Sequence, residues 1–453
     1  MHSRKKRTQP PTPEEIAKEK ARLQKMQELH TAVFASMEAQ DLSTDAFDLT
    51  TRAIRTSSDI YTFFNYRRQI LLKLFEETPE DQLPALLKKE LDLLGGIIKE
   101  SPKSYTLWFH RQWILQRCKN LTDIMERELK LCEYMLNKDN RNFHCWDYRT
   151  WFVKFAGTES LQDELLFTDS MILRDFSNFS AWHYRTKVVK QIYTGEIPDE
   201  FVRSELGRLK NAYFTCPMDQ SIWNYHRWLL NQKEPIMITG ISPREFEETP
   251  KCFIIGFSHN IKGINENSIG VSQGWEPLQG TWEPLYTQPF SYIWKFTPSQ
   301  SAPGDIEFRL SPINTELTDI NGHKKLTSLQ YKFKKTENKS EFSVEGQEDA
   351  TFFESELESI DELLRIEEDD RSQAVLRKAQ LLETLSFMNS EKGNIDQIIA
   401  SYQELIRIDY RRAPFYRESL SVYNAIKNKS AESSPIVSRK MLAKILGFID
   451  LNQ

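Results

Sequence analysis

Apolar residues return along most of this chain at intervals of three and four, the spacing of helices with one buried face. In four places the pattern takes nearly the same form. SYTLWFHRQWIL begins at Ser104, NFHCWDYRTWFV at Asn142, NFSAWHYRTKVV at Asn178 and DQSIWNYHRWLL at Asp219. Aligned on Trp108, Trp146, Trp182 and Trp223, the copies stand 38, 36 and 41 residues apart, close to the period of two-helix solenoid units. Four residues before each tryptophan is Ser104, Asn142, Asn178 or Asp219, residue types whose side-chain oxygens accept the free N–H groups of a first helical turn. One turn after the tryptophan come Arg111, Arg149 and Arg185, while the fourth copy has His226 followed by Arg227.

Between the copies lie second amphipathic segments: LTDIMERELKLCEYMLN, SLQDELLFTDSMILRDF and FVRSELGRLKNAYF. A helical hairpin of this size cannot bury its apolar face alone, so neighbouring hairpins must stack. An earlier, weaker copy, IYTFFNYRRQIL, puts Phe64 at the tryptophan position and Arg67 three residues later, with Ile60 at the cap. Two weak copies follow much later, with Gln373 and Tyr416 at the tryptophan position. A tryptophan at a fixed place in every copy reads as packing. The arginine after it reads as a tie to carbonyls or acids of the neighbouring hairpin.

The periodicity stops between residues 235 and 350. That span holds 9 of the 16 glycines and 9 of the 19 prolines, which break long helices. It also carries short β-branched or aromatic segments: KCFIIGF, SYIWKF, DIEFRL, SLQYKF and SEFSV. The reading is an immunoglobulin-like antiparallel β-sandwich set into a mainly α chain. Helical domain segments then occupy residues 13–234 and 351–453. Before them, Thr12-Pro13-Glu14-Glu15 is a capping box that opens a charged helix to about Met37. Residues 1–12, with Arg4, Lys5, Lys6 and Arg7, form a flexible basic tail. The last residues, ILGFIDLNQ, lack an LxxLxL series, so no leucine-rich repeat domain is expected.

Composition narrows the function. At 453 residues the chain exceeds the roughly 250–300 at which one core stops growing, so domains or an array are required. Its 60 basic and 65 acidic residues nearly balance, which argues against nucleic acid as partner. Five scattered cysteines form no CxxC pair, so neither a zinc ribbon nor a disulfide framework is expected, and a reducing compartment is. No apolar run serves as a signal peptide or integral membrane segment, which points to the cytosol.

Serial W-x-x-R hairpins with Asn-Phe-His-x-Trp openings resemble the α subunits of protein prenyltransferases, over roughly residues 13–232 and 351–430. Within that family the RNFHCWDYR segment, the opening MHSRKK and the β insertion are most similar to the Rab (type II) geranylgeranyl branch. The resemblance implies a crescent-shaped solenoid of antiparallel helical hairpins that pairs with a β subunit, which binds zinc and the lipid. It implies transfer of a geranylgeranyl group from geranylgeranyl diphosphate to C-terminal cysteines of Rab GTPases presented by an escort protein. In that chemistry zinc stabilises the substrate thiolate, and the leaving diphosphate needs cationic donors.

The eight histidines and five cysteines form no closed metal set, so no metal site is expected in this chain. By the resemblance, the candidate contribution to the diphosphate side is Arg141 and His144, at the turn leading into the Asn142 copy. Farnesyl-type α subunits carry Lys-Asn-Tyr-His there; here arginine keeps the charge and Phe143 removes the hydroxyl. His2, on the basic tail, is a candidate regulatory contact to the partner's zinc. Two alternatives stand beside this reading: an α subunit of the farnesyl or type-I geranylgeranyl enzyme, and a non-enzymatic helical-repeat adaptor.

Overall fold

The computed structural model describes residue 10 and residues 12–119, 122–157, 161–194, 197–233, 238–242, 252–262, 264, 269–273, 276–285, 291–300, 306–310, 318–319, 329–334, 339–344, 350–369, 371–388 and 395–429. His2 and most of the basic tail lie outside the described residues. The chain divides into two compact units, Met1–Met171 and Ile172–Gln453.

Among the described residues, the first unit has only helices as regular elements. It contains α1 (Pro13–Glu38), α2 (Thr44–Thr56), α3 (Tyr61–Glu77), α4 (Leu83–Glu100), α5 (Tyr105–Leu115), α6 (Thr122–Lys138) and α7 (Phe143–Ala156). An eighth helix, α8 (Leu161–Arg174), carries the boundary between the units. The expected capping box is formed: Thr12 accepts from the Glu15 N–H, the Glu15 side chain accepts from the Thr12 N–H, and Pro13 takes the first helical position. The Asn142 side chain likewise accepts from the Cys145 N–H and opens α7. At the other end of α7, Gly157 has φ +62°, the left-handed conformation that costs glycine nothing and closes the helix.

One cap differs from expectation. Ser104 stands at the N-cap of α5 but makes no capping bond. Its hydroxyl donates to the Ser58 carbonyl at 2.8 Å and lies 2.8 Å from the Thr106 hydroxyl. The hydroxyl is turned toward the Ser58 carbonyl and away from the N–H groups of the first turn of α5.

The second unit begins with α9 (Phe179–Ile192), α10 (Asp199–Thr215) and α11 (Gln220–Asn231), opened by Asn178, Pro198 and Asp219. Asn178 accepts from the Ala181 N–H, and Asp219 from those of Ser221 and Ile222. Ten strands follow: β1 (Ile238–Ser242), β2 (Phe253–Lys262), β3 (Ile269–Gln273), β4 (Glu276–Pro277), β5 (Gly280–Pro284), β6 (Ser291–Pro298), β7 (Ile306–Leu310), β8 (Thr318–Asp319), β9 (Leu329–Lys334) and β10 (Lys339–Val344), counted among the described residues. All pairings are antiparallel. One sheet has the order β1-β2-β6-β5 with β8 beside β2, and the other β10-β9-β7-β3-β4. Each segment read from the sequence as strand-like is a strand. Alternate residues of β2 (Phe253, Ile255, Phe257) and of β6 (Trp294, Phe296) are buried.

The helical pattern resumes in α12 (Thr351–Ile366), α13 (Ser372–Met388), α14 (Ile395–Ile408) and α15 (Ala413–Lys429). Val375, Ala379, Leu382, Ile398, Tyr402, Leu405, Tyr416 and Tyr423 form their core. Gln373 and Tyr416, read as weak tryptophan equivalents, are both buried. These helices pack against those before the sheets. Lys210 bridges Glu362 at 2.7 Å, and Arg377 donates to the Trp223 carbonyl at 3.2 Å. The array is therefore continuous within this unit across the inserted strands.

Candidate functional site

Each repeat tryptophan is pinned the same way. The indole N–H donates to the carbonyl six residues earlier: Trp108 to Pro102, Trp146 to Asn140 and Trp182 to Phe176, each at 2.9 Å, and Trp223 to Pro217 at 2.6 Å. The ring fills the core while its one polar atom closes the turn.

The repeat arginines are paired with glutamates. Arg67 holds Glu90 in a two-pronged contact (2.7 and 2.6 Å), Arg111 holds Glu128 (2.7 and 2.5 Å), Arg149 holds Glu164 (2.8 and 2.6 Å) and Arg185 holds Glu205 (both 2.6 Å). All eight residues are buried. The same guanidinium reaches back to the previous hairpin: Arg67 to the Phe47 carbonyl, Arg111 to that of Leu91, Arg149 to that of Leu129. Each of these three arginines thus joins three helices. The next copy adds a third donor to the glutamate, always 20 residues further on: His110 to Glu90, Tyr148 to Glu128, Tyr225 to Glu205. Buried charge of this kind survives only when its hydrogen-bonding capacity is met. Burial pushes the Glu90 carboxyl up, but Arg67 and His110 outweigh it and hold the group at about 2.

The fourth copy resolves differently from Arg149 and its counterparts. His226, three residues after Trp223, is the buried residue, and its Nε2 lies 2.8 Å from Glu356 on α12. Arg227, one position further around the helix, is exposed. The anchoring role falls to the imidazole because i+3 from the tryptophan faces the core here and i+4 faces water. Phe64, in the weak copy, is fully buried against His110, with ring centroids 5.3 Å apart.

The turns that lead into α5 and α7 lie side by side. Asn142 Nδ2 donates to the Pro102 carbonyl at 3.1 Å, and Lys103 pairs with Asp139 at 3.4 Å. Asp139 also accepts from the Arg141 N–H at 3.2 Å. This gathers Lys103, Tyr105, Arg141, Phe143 and His144 at one surface. Tyr105 is 56% and Phe143 62% exposed, as is Phe179 at the same position of the next copy (52%). Partial burial, with a smaller push from Lys103, lowers the His144 pKa against the pull of Asp147. A lysine and a tyrosine flank the cap of the preceding copy, as Lys103-Ser104-Tyr105. That turn lacks the Asn-Phe-His signature of the later copy, so the sequence pattern alone did not single it out.

Among the described residues, no group of three or more His, Cys, Asp or Glu is arranged to hold a metal ion. Cys118 and Cys145 are poorly suited to act as ligands or nucleophiles: burial pushes Cys118 up to about 11, and the neighbouring Cys132 together with burial raises Cys145 further.

Comparison with known proteins sets this geometry in a family. The motif described as protein prenyltransferase alpha subunit repeat matches residues 87–118, 125–156, 161–192 and 202–233, so that each match contains one of the four buried glutamates and one of the four tryptophans. The geranylgeranyl transferase type-2 subunit alpha of Mus musculus is 34% identical over 401 residues, 83% of this chain and 69% of the mouse protein. The protein of the same name from Bos taurus is 31% identical over 399 residues, 84% of this chain and 68% of the bovine one. The chain belongs to the family of geranylgeranyl transferase type-2 α subunits. A third type-2 α subunit, from Dictyostelium discoideum, is 42% identical over 172 residues, 38% of this chain and 55% of that protein. A solved structure, Candida albicans protein geranylgeranyltransferase-I complexed with GGPP, shares the fold with a TM-score of 0.50 at 18% identity, covering 88% of this chain and 91% of that one. The relatives are named as a subunit of a transferase; in this chain the four repeat arginines are each paired with a buried glutamate, while Lys103 and Arg141 are exposed. No helix among the described residues is long and apolar enough to cross a membrane.

Proposed function

We propose that this chain is the α subunit of a cytosolic heterodimeric type II protein geranylgeranyltransferase. It pairs with a β subunit that holds zinc and the isoprenoid, and together they transfer the geranylgeranyl group of geranylgeranyl diphosphate to C-terminal cysteines of Rab GTPases presented by an escort protein. The observation that carries this reading is the 34% identity to the mouse type-2 subunit across 401 residues. The type-2 relatives favour it over a farnesyl or type-I subunit and over a non-enzymatic adaptor. The two sheets between α11 and α12, read as an immunoglobulin-like sandwich, form a separate module with no part in the transfer.

This chain's own work is electrostatic. As the bond from the lipid carbon to the diphosphate breaks, negative charge grows on the leaving oxygens, and pre-placed cations stabilise that charge most. Lys103 and Arg141 supply ammonium and guanidinium, Tyr105 supplies an O–H donor, and Asp139 ties the two turns together. His144 contributes a neutral imidazole at the edge of the cluster. The described residues offer no donor set that fits a metal, and the zinc is assigned to the partner.

The test is co-expression with a β subunit, followed by transfer assays with geranylgeranyl and farnesyl diphosphate. The expected result is geranylgeranyl transfer by the pair and none by the isolated chain. Zinc bound stoichiometrically to the isolated chain, together with transfer by it alone, would contradict the proposal.

A further inference from the structure

The buried arginines Arg67, Arg111 and Arg149 of the first unit each have a carboxylate. Arg68 does not. It follows Arg67 on α3, and its guanidinium sits among rings: its carbon lies 5.0 Å from the centre of Phe109, 5.4 Å from Tyr61 and 5.7 Å from Trp113. Its Nε donates to His110 Nδ1 at 3.2 Å, and its Nη1 donates to the Tyr61 hydroxyl at 3.2 Å and to Asn65 at 3.3 Å. The remaining nitrogen, Nη2, is buried and has no hydrogen-bond partner among the described residues. An orphaned donor on a charged group costs on the order of 1–3 kcal/mol, so folding alone gives no reason to keep it.

A second cation lies close by. The Arg117 guanidinium stacks 3.6 Å above Trp113 and donates to that residue's carbonyl at 2.8 Å. Burial, and then the charge of Arg68, make Arg117 easier to deprotonate than usual, so the two cations feel each other. Among the described residues neither has a carboxylate at ion-pair distance. His110 does not help, because burial keeps it neutral while its other nitrogen serves Glu90. Tyr61 and Phe109, whose rings are 6.3 Å apart, form the outer wall, and they are 38% and 47% exposed.

We infer that this patch receives an acidic side chain from a protein partner, with Arg68 and Arg117 supplying the charge and Tyr61, Phe109 and Trp113 the walls. A planar guanidinium pairs best with a planar, two-oxygen acceptor such as a carboxylate. A protein is the fitting source, because arginine, tyrosine and tryptophan in one partly exposed cluster make the composition of an interface hot spot, and a free anion would leave the two outer rings in water. The partner is the second subunit, and the inference rests on the pairing proposed above. Docking turns the outer rings, brings the carboxylate onto Nη2 and removes the orphan.

The test measures affinity of the full chain for the β subunit of a type-2 geranylgeranyl transferase, at low and high salt, beside the melting temperature of the isolated chain. Arg68→Gln is expected to weaken pairing about tenfold, ~1.4 kcal/mol, and to flatten its salt dependence, with the melting temperature unchanged or raised. Arg68→Lys should recover part of the affinity, and Arg55→Gln, at an exposed position on α2, should change nothing. Phe109→Ala should weaken pairing without altering the salt dependence. If Arg68→Gln pairs with wild-type affinity and salt dependence, the site is overturned. It is equally overturned if affinity falls only in step with a lowered melting temperature, the mark of a packing residue. A wild-type chain that pairs with no β subunit would remove the subunit reading itself, and this occupant with it.

Discussion

His226 and Glu356 stand 130 residues apart in the chain and 2.8 Å apart in space. His226 lies on α11 and Glu356 near the start of α12, so this contact joins the helices that flank the inserted strands. Tyr213 reaches the same carboxylate at 3.3 Å. The helical array therefore has its own closure and does not need the sheets to complete it. Replacing residues 235–350 by a short linker should leave a folded chain that still pairs and transfers lipid. The check is a melting curve and a transfer assay on the shortened protein; a variant that pairs but transfers nothing would place the sheets in the active site.

That closure is sensitive to acid. Burial, with a smaller push from Arg377, lowers the His226 pKa against the pull of Glu356, and burial does the same at His110. The folded protein thus refuses a proton that the unfolded chain accepts near pH ~6.5. Stability is complete above that pH and declines as pH falls below it. Glu90, held at about 2, adds a second loss that begins below the ordinary carboxylate pKa of ~4.3 and continues toward 2. Calorimetry across pH should show a melting temperature that is flat above neutrality and begins to fall as the pH drops below ~6.5. His226→Gln should flatten that first decline; an unchanged profile would assign it to other groups.

The ladder of buried pairs predicts strong coupling. Glu128→Ala strands Arg111 in the core and should cost about 3–5 kcal/mol. Removing the whole network with Arg111→Met, Glu128→Leu and Tyr148→Phe together should cost less than that single change, because no charge remains uncompensated. Urea denaturation of the single and triple variants measures the difference. Additive losses would mean the three side chains act independently.

The repeat tryptophans and their caps separate two magnitudes. Trp146→Ala should cost about 3–5 kcal/mol through the cavity left beside Phe167 and the lost bond to Asn140. Asn142→Ala removes a cap and a bond to Pro102, and should cost about 1–2 kcal/mol. A reversed order in a denaturation series would show that the helix register is set by the turn instead.

Helix starts were legible in the sequence because Asn142, Asn178 and Asp219 act locally, each binding an N–H two or three residues ahead. The strands were legible for a similar reason: each short β-branched or aromatic run lies between turn residues. Partners distant in sequence were not. Glu90, Glu128, Glu164 and Glu205 sit in charged amphipathic helices where a glutamate normally faces water. A signal was present, since each is followed by leucine, as Glu356 also is, and each bound Tyr or His donor comes 20 residues later. The choice between His226 and Arg227 depended on one position of helical rotation, which the pattern of apolar residues does not resolve. Lys103 and Tyr105 became visible only when the fold set their turn beside that of Arg141.

In the proposed mechanism the turn cations serve the leaving diphosphate while the buried arginines hold the scaffold. Single-turnover transfer by the reconstituted heterodimer, measured beside its melting temperature, tests it directly. Arg141→Ala should slow the chemical step about ten- to a hundredfold, ~1.4–2.8 kcal/mol, with melting and pairing nearly unchanged. Lys103→Ala should act in the same direction, and Arg141→Lys should recover part of the rate. Arg149→Ala, which strands Glu164, should lower the melting temperature and leave the rate per folded dimer close to normal. A normal rate for Arg141→Ala, with chemistry abolished in a well-folded Arg149→Ala dimer, would contradict the account.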